Sequence, residues 1–210
     1  MRILALLAVL SLAAISFAQQ SQRQVAITID DLPRGGDLRA DIKPAEMLGF
    51  TRRFLAPLKD AGVPFTGFVN EGRSGYSESD LRAILGLWLD SSPQAELGSH
   101  TFSHPDLNRI SLDEFETELR KGERVSRPLS NSKGRPYRYF RHPFLHTGLD
   151  LDKKRGSEAI LKRMGYQVAP VTIDNSDYLY ALRYQQALTK GDAAQAARIA
   201  ADYIRYMDEV

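Results

Sequence analysis

Residues 25 to 36 read VAITIDDLPRGG. Val25 to Ile29 is rich in β-branched residues, the composition of a buried strand. The run stops at Asp30 and Asp31, just before Pro33 and a glycine pair. Adjacent carboxylates repel each other. Taking either out of water costs several kcal/mol unless a cation or hydrogen-bond donors receive it. A strand that ends in two acids therefore asks for positive charge or a metal ion at its C-terminal end.

Outward from this stretch, strand and helix signals alternate. Glu46 to Ala61 has Met47, Phe50, Phe54, Leu55 and Leu58 at helical spacing, with a bend expected near Pro57 and a stop at Gly62. VPFTGFV is a second strand. Ser77 caps a helix through Leu89, AELGS is a short third strand, and Ser111 with Glu114 forms a capping box. RYFRHPF runs from strand into turn, GSEAILKRMGY is a helix, and QVAPVTI is a further strand. From Tyr180 to Met207 the pattern is helical, with a break at Lys190-Gly191. This alternation predicts a mostly parallel α/β sheet or barrel, with chemistry gathered past the C-terminal strand ends. Asp30, Asp31, Asn70, His100, Arg141 and Asp174 all fall at such ends.

The chain has 210 residues, 43% hydrophobic and 26% charged, which suits one globular domain with a real core. A net charge of +2, with Lys and Arg spread along the chain, gives no electrostatic footprint for nucleic acid. The start, MRILALLAVLSLAAISFA, has one basic residue, an apolar run from Ile3 to Ile15 and small residues before a cleavage point after Ala18. It is read as a secretory signal over 1–18, followed by a domain over 19–210. The run is short for a membrane span of about 20 residues. The protein is thus expected to be exported to the periplasm or outside the cell, without stable membrane insertion, and to fold without disulfides, since cysteine is absent.

Two of the four histidines lie in GSHTFSHPDL. His100 and His104 are four apart, a spacing that brings two imidazoles to one side of a helical turn. Alone this is weak, and His142 and His146 show the same spacing. Together with the aspartates it is stronger. One carboxylate and two imidazoles make a three-ligand site with open positions, as a catalytic metal needs. The second carboxylate is then available to take a proton from water. In RYFRHPFLHTG, Arg141 follows a strand and needs a carboxylate partner if buried; Asp30 and Asp177 both qualify. TIDNSDYLY is another strand running into acids, Asp174 and Asp177.

In order, T-I-D-D, H-T-x-S-H, F-R-H-P-F and I-D-x-x-D-Y resemble the motifs of the polysaccharide deacetylase family, carbohydrate esterase family 4, from about Val25 to Tyr180. The resemblance implies a distorted (β/α) barrel with a metal at its mouth, hydrolysing N-acetyl or O-acetyl groups on sugars. It implies Asp30 as catalytic base, and Asp31, His100 and His104 as ligands of a divalent metal. Zinc is the first expectation, with Co2+, Ni2+, Fe2+ and Mn2+ open. It further implies Arg141 as the residue orienting the base, Asp177 as the acid paired with that arginine, and Phe144 as donor of a backbone N–H to the oxyanion. Phe144 replaces the family's usual Tyr, and Tyr178 its usual Trp.

One departure concerns the family's late Leu-x-His strand, whose histidine protonates the leaving group. No histidine follows His146. The fold expectation is therefore an α/β barrel lacking its C-terminal strand or strands, of marginal stability and low activity as it stands. His142 and His146 are the remaining histidines that could act as the acid. The expected activity is metal-dependent removal of N-acetyl groups from an acetylated glycan, peptidoglycan or chitin-like. An O-acetyl esterase acting on xylan and a non-catalytic glycan-binding protein are the alternatives.

Overall fold

The computed structural model describes residues 24–35 and 42–209. The signal sequence expected over 1–18 lies outside the described residues. No helix among those described is long and apolar enough to cross a membrane.

Five parallel strands form one sheet in chain order: β1 (Ile27–Leu32), β2 (Phe65–Val69), β3 (Glu96–Ser99), β4 (Tyr139–Phe140) and β5 (Gln167–Val168). Each pair is parallel, so each connection must cross over, and helices do most of this. α1 (Pro44–Asp60) joins β1 to β2, and α2 (Glu78–Asp90) joins β2 to β3. α3 (Leu112–Lys121) and α4 (Ser126–Ser132) lead to β4, and α5 (Leu151–Arg163) leads to β5. A helical hairpin follows, α6 (Asp177–Thr189) and α7 (Ala193–Glu209). The sheet is open: among the described residues β1 and β5 each pair with one neighbour. This is the α/β architecture expected, in the form of an unclosed barrel.

The caps behave as the sequence implies. The Ser77 hydroxyl accepts from the Asp80 N–H, and Ser111 and Glu114 complete their capping box. α1 runs through Pro57 as one helix, and α5 starts earlier than its apolar pattern, where Asp150 caps the Lys153 N–H at 2.8 Å. The strand expected over QVAPVTI is cut to two residues. The Ala169 N–H still donates to the Phe140 carbonyl, but Pro170 has no N–H to continue the ladder. α4 carries no clear sequence signal because it holds Pro128 and three serines. It is held from outside: the buried Glu71 carboxylate accepts from the Val125 and Ser126 N–H groups and from the Ser126 hydroxyl.

Phe65 meets Trp88 edge-on at 5.7 Å, and Phe115 meets Phe140 edge-on at 5.6 Å, joining sheet to helices. Between them, Gly98 lets β2 and β4 close on β3. A Cβ there would sit 2.7 Å from the Phe68 ring and 2.8 Å from the Tyr139 carbonyl oxygen. Gly98→Ala is expected to cost about 1–3 kcal/mol through this overpacking. The loss should appear as a lower denaturation midpoint at unchanged m-value; an unchanged midpoint would mean that the strands can yield.

Candidate metal centre

Every strand delivers a group at its C-terminal end. β1 brings Asp30 and Asp31, β2 leads to Asn70, β3 to His100, β4 to Arg141, and β5 to the Ala169 carbonyl. The site therefore lies where a parallel sheet gathers its strand ends.

In a regular strand Asp30 and Asp31 would point to opposite faces. β1 avoids this with a bulge: Ile29 pairs with Gly67 and Leu32 with Val69, so one extra residue is accommodated on β1. Asp31 takes up the irregularity in the left-handed region, at φ 64°. Both carboxylates then approach His100. Its Nε2 lies 3.7 Å from Asp31 Oδ1 and 4.0 Å from Asp30 Oδ2.

The two acids are held by different arginines. Arg141, buried and stacked 4.6 Å over the Phe68 ring, donates from Nη1 to both Asp30 oxygens at 3.2 and 3.3 Å. Its Nε donates to the Ala169 carbonyl at 2.7 Å and its Nη2 to Thr28 Oγ1 at 3.2 Å, so its fork spans β1 and the chain after β5. Arg73 lies 2.7 Å from Asp31 Oδ2. Burial still raises the Asp30 carboxyl above its ordinary value, with Arg141 opposing the shift and Asp31 adding to it.

The histidine loop is set by its neighbours. His100 Nδ1 donates to the Arg141 carbonyl at 2.7 Å, which fixes the tautomer and turns the Nε2 lone pair toward Asp31. The Asn70 amide and the Thr101 hydroxyl both donate to the His100 carbonyl. Thr101 and His104 adopt left-handed backbone. Between the two histidines, the Glu118 carboxylate accepts from the Phe102 N–H at 3.2 Å, the Ser103 N–H at 2.7 Å and the Ser103 hydroxyl at 3.0 Å. His104 Nε2 consequently lies 3.4 Å from Asp31 Oδ1.

Ligand atoms of Asp31, His100 and His104 all lie within 4.8 Å of one another. Asp31 Oδ1 is buried, has no hydrogen-bond partner among the described residues and faces both Nε2 atoms. Burial pushes both imidazoles down to about 4, more than offsetting the nearby carboxylate, so they are neutral lone-pair donors near pH 7. An oxygen left without a hydrogen atom to accept, between two neutral imidazoles, fits a divalent cation.

The remaining sequence candidates fall around this centre. The Phe144 ring packs edge-on to His104 at 4.5 Å, with its backbone at φ 57°. The surrounding turn uses the N–H groups of Leu145 and His146, which donate to the His142 and Pro143 carbonyls. Asp177 opens α6, and its carboxyl is raised first by burial, with Asp174, Asp30 and Asp31 adding to the shift. The hydrogen bonds of Arg141 go to Asp30, Thr28 and Ala169, and Asp177 is not among these partners. His142 is buried against Phe140 and Phe115, whereas His146 is exposed and paired with Asp106. Arg73 and Glu118 are not singled out by the sequence. Arg73 sits in a loop without regular spacing, and Glu118 reads as an ordinary polar position on a helix.

Glu118→Ala would take the shared acceptor from three donors of the histidine loop without touching Asp31, His100 or His104. Divalent-ion affinity is expected to fall by about 10- to 100-fold, the usual effect of removing a supporting partner of a metal ligand. Calorimetric titration with Zn2+, on a variant whose fold is checked by circular dichroism, measures this; unchanged affinity would show that the loop holds its shape unaided.

Comparison with known proteins bears on the family and the fold. A chitin deacetylase from Colletotrichum lindemuthianum is 29% identical over 156 residues, covering 73% of this chain. The chain spans about half, 52%, of that relative's length. Among solved structures, a family 4 carbohydrate esterase from Streptomyces lividans in complex with acetate superposes with a TM-score of 0.52 at 17% identity, over 73% of this chain and 65% of that one. A CE4 family pseudoenzyme from Bacillus anthracis gives 0.52 at 18% identity, over 88% and 60%. At these identities the superpositions speak for the fold. The polysaccharide deacetylase family model matches residues 18–169, which is most of the chain, and the protein belongs to that family.

Proposed function

We propose that the protein is a metal-dependent hydrolase that removes N-acetyl groups from an amino-sugar polymer or oligomer of the chitin or peptidoglycan type. The observation that carries this reading is the buried Asp31 Oδ1 facing two neutral imidazoles, with no hydrogen-bond partner among the described residues, beside a second carboxylate clamped by Arg141. The resemblance to a chitin deacetylase supports an amide on an amino sugar as the bond attacked. The signal read over residues 1–18 suits a glycan met outside the cytoplasm.

Asp31, His100 and His104 would hold the ion. When bound, a divalent cation polarises an acetyl carbonyl and lowers the pKa of water from about 15.7 toward about 7. Asp30 then takes the proton of the attacking water. Its carboxylate lies beside the ligand cluster without being one of the three donors, and Arg141 fixes its direction. Because burial raises Asp30 against the pull of Arg141, the base lies closer to neutrality than an ordinary aspartate, which favours proton transfer. The Phe144 N–H is assigned to the developing oxyanion, where a pre-aimed donor contributes most. Asp177 is assigned to the same electrostatic group, helping to balance the charge that a bound cation adds.

Two substitutions separate these roles. His100→Ala is expected to abolish divalent-metal binding, and elemental analysis showing unchanged metal content would overturn the ligand assignment. Asp30→Asn is expected to retain the metal while acetate release falls by about 100- to 10,000-fold. Loss of metal from this variant, or turnover near that of the unaltered protein, would mean that the two aspartates had exchanged roles.

A further inference from the structure

The two oxygens of Asp31 have different neighbours. Oδ1 lies 3.7 Å from His100 Nε2 and 3.4 Å from His104 Nε2. Oδ2 lies 2.7 Å from Arg73 Nη1. A carboxylate can bind a cation through one oxygen or through both. With Oδ2 on a guanidinium, Asp31 presents one oxygen to the imidazoles. The pair is no loose surface contact, since the Arg73 and Asp31 side chains are only 23% and 24% exposed.

The turn that carries Arg73 is fastened on three sides. The Asn70 N–H donates to the Leu32 carbonyl at 2.8 Å, one residue past Asp31 on β1. The Asn70 amide donates to the His100 carbonyl, and the Gly72 N–H donates to the Phe102 carbonyl at 2.9 Å. A side chain at Gly72 would strike the Phe102 ring, so glycine permits this close approach. The Glu71 carboxylate ties the same turn to α4 through the Val125 and Ser126 N–H groups. The backbone that presents Arg73 is thus fixed both to the strand bearing Asp31 and to the loop bearing His100 and His104.

We propose that Arg73, by holding Oδ2, restricts Asp31 to one metal-facing oxygen and so biases the centre toward Zn2+ over Mn2+. This rests on the reading of Asp31, His100 and His104 as ligands. Two nitrogens and one oxygen leave a single further position to complete a four-coordinate zinc site. Mn2+ suits six-coordinate, oxygen-rich surroundings, so it gains more from a second carboxylate oxygen. The positive charge of Arg73 opposes both ions alike, because both carry two charges. Removing that charge tightens both, whereas freeing Oδ2 changes the ratio between them. Arg73 is in this sense a positioning residue that acts through Asp31.

The test is calorimetric titration of the full chain with Zn2+ and with Mn2+ at one pH. It uses Arg73→Met, which keeps an apolar stem in place, and Arg73→Ala, which keeps none; circular dichroism checks both folds. The ratio of Mn2+ to Zn2+ association constants is expected to rise by about 10-fold or more in either variant, the scale on which a partner of a metal ligand acts. Equal tightening of the two ions, or an unchanged ratio, overturns the role of Arg73 in selectivity and leaves the ligand assignment standing. Loss of fold in both variants makes Arg73 a structural residue and overturns the proposal as well. An unaltered protein that binds neither ion overturns the metal-dependent reading and this inference with it.

Discussion

Two neighbouring negative charges at the end of one strand are the constraint around which the rest is arranged. A flat strand would send Asp30 and Asp31 to opposite faces; the bulge in β1 brings both toward His100. Left alone, the pair would repel and be costly to bury. The protein divides the charge between two cations, Arg141 for Asp30 and Arg73 for Asp31. The consequence is asymmetric. Asp30 has both oxygens on one guanidinium, whereas Asp31 uses one oxygen for Arg73 and leaves the other facing the imidazoles. Two chemically identical residues thereby acquire different environments, as the proposed division of labour between ion and proton requires.

Arg141 couples this chemistry to the sheet. Its guanidinium joins β1 to the chain after β5, and its backbone carbonyl fixes the His100 ring. Its burial over Phe68 removes it from water and strengthens each of these contacts. A lysine could not reproduce them, because it has neither the planar fork nor its several fixed donors. Asp30, His100 and the chain after β5 are thus positioned by one residue. A shift of β4 would disturb all three together.

The histidine loop shows the same economy on the other side of the site. Thr101 and His104 both occupy left-handed backbone, which is costly for residues other than glycine. That conformation persists because Asn70 and Glu118 hold the loop from β2 and α3. The aromatic wall of Phe144 closes the site beside His104, and its turn carries the exposed His146 with it.

The sequence by itself determined the alternation of strands and helices, the capped helix starts, and the residues that meet at the strand ends: Asp30, Asp31, His100, His104 and Arg141. These were legible because hydrophobic period, caps and metal-ligand spacing are local properties. It also narrowed the partner of Arg141 to Asp30 or Asp177, and only the folded arrangement placed Asp30 on the guanidinium. The bulge that turns both aspartates toward His100 depends on β1–β2 register, which no single strand encodes. Helix α4 and the clasp of Glu118 depend on carboxylates that reach backbone amides distant in the chain. Arg73 gains meaning only from what stands beside it, Asp31. Local chemistry nominates the candidate residues, but the direction in which each side chain points is set by packing between segments far apart in sequence, and this the tertiary structure decides.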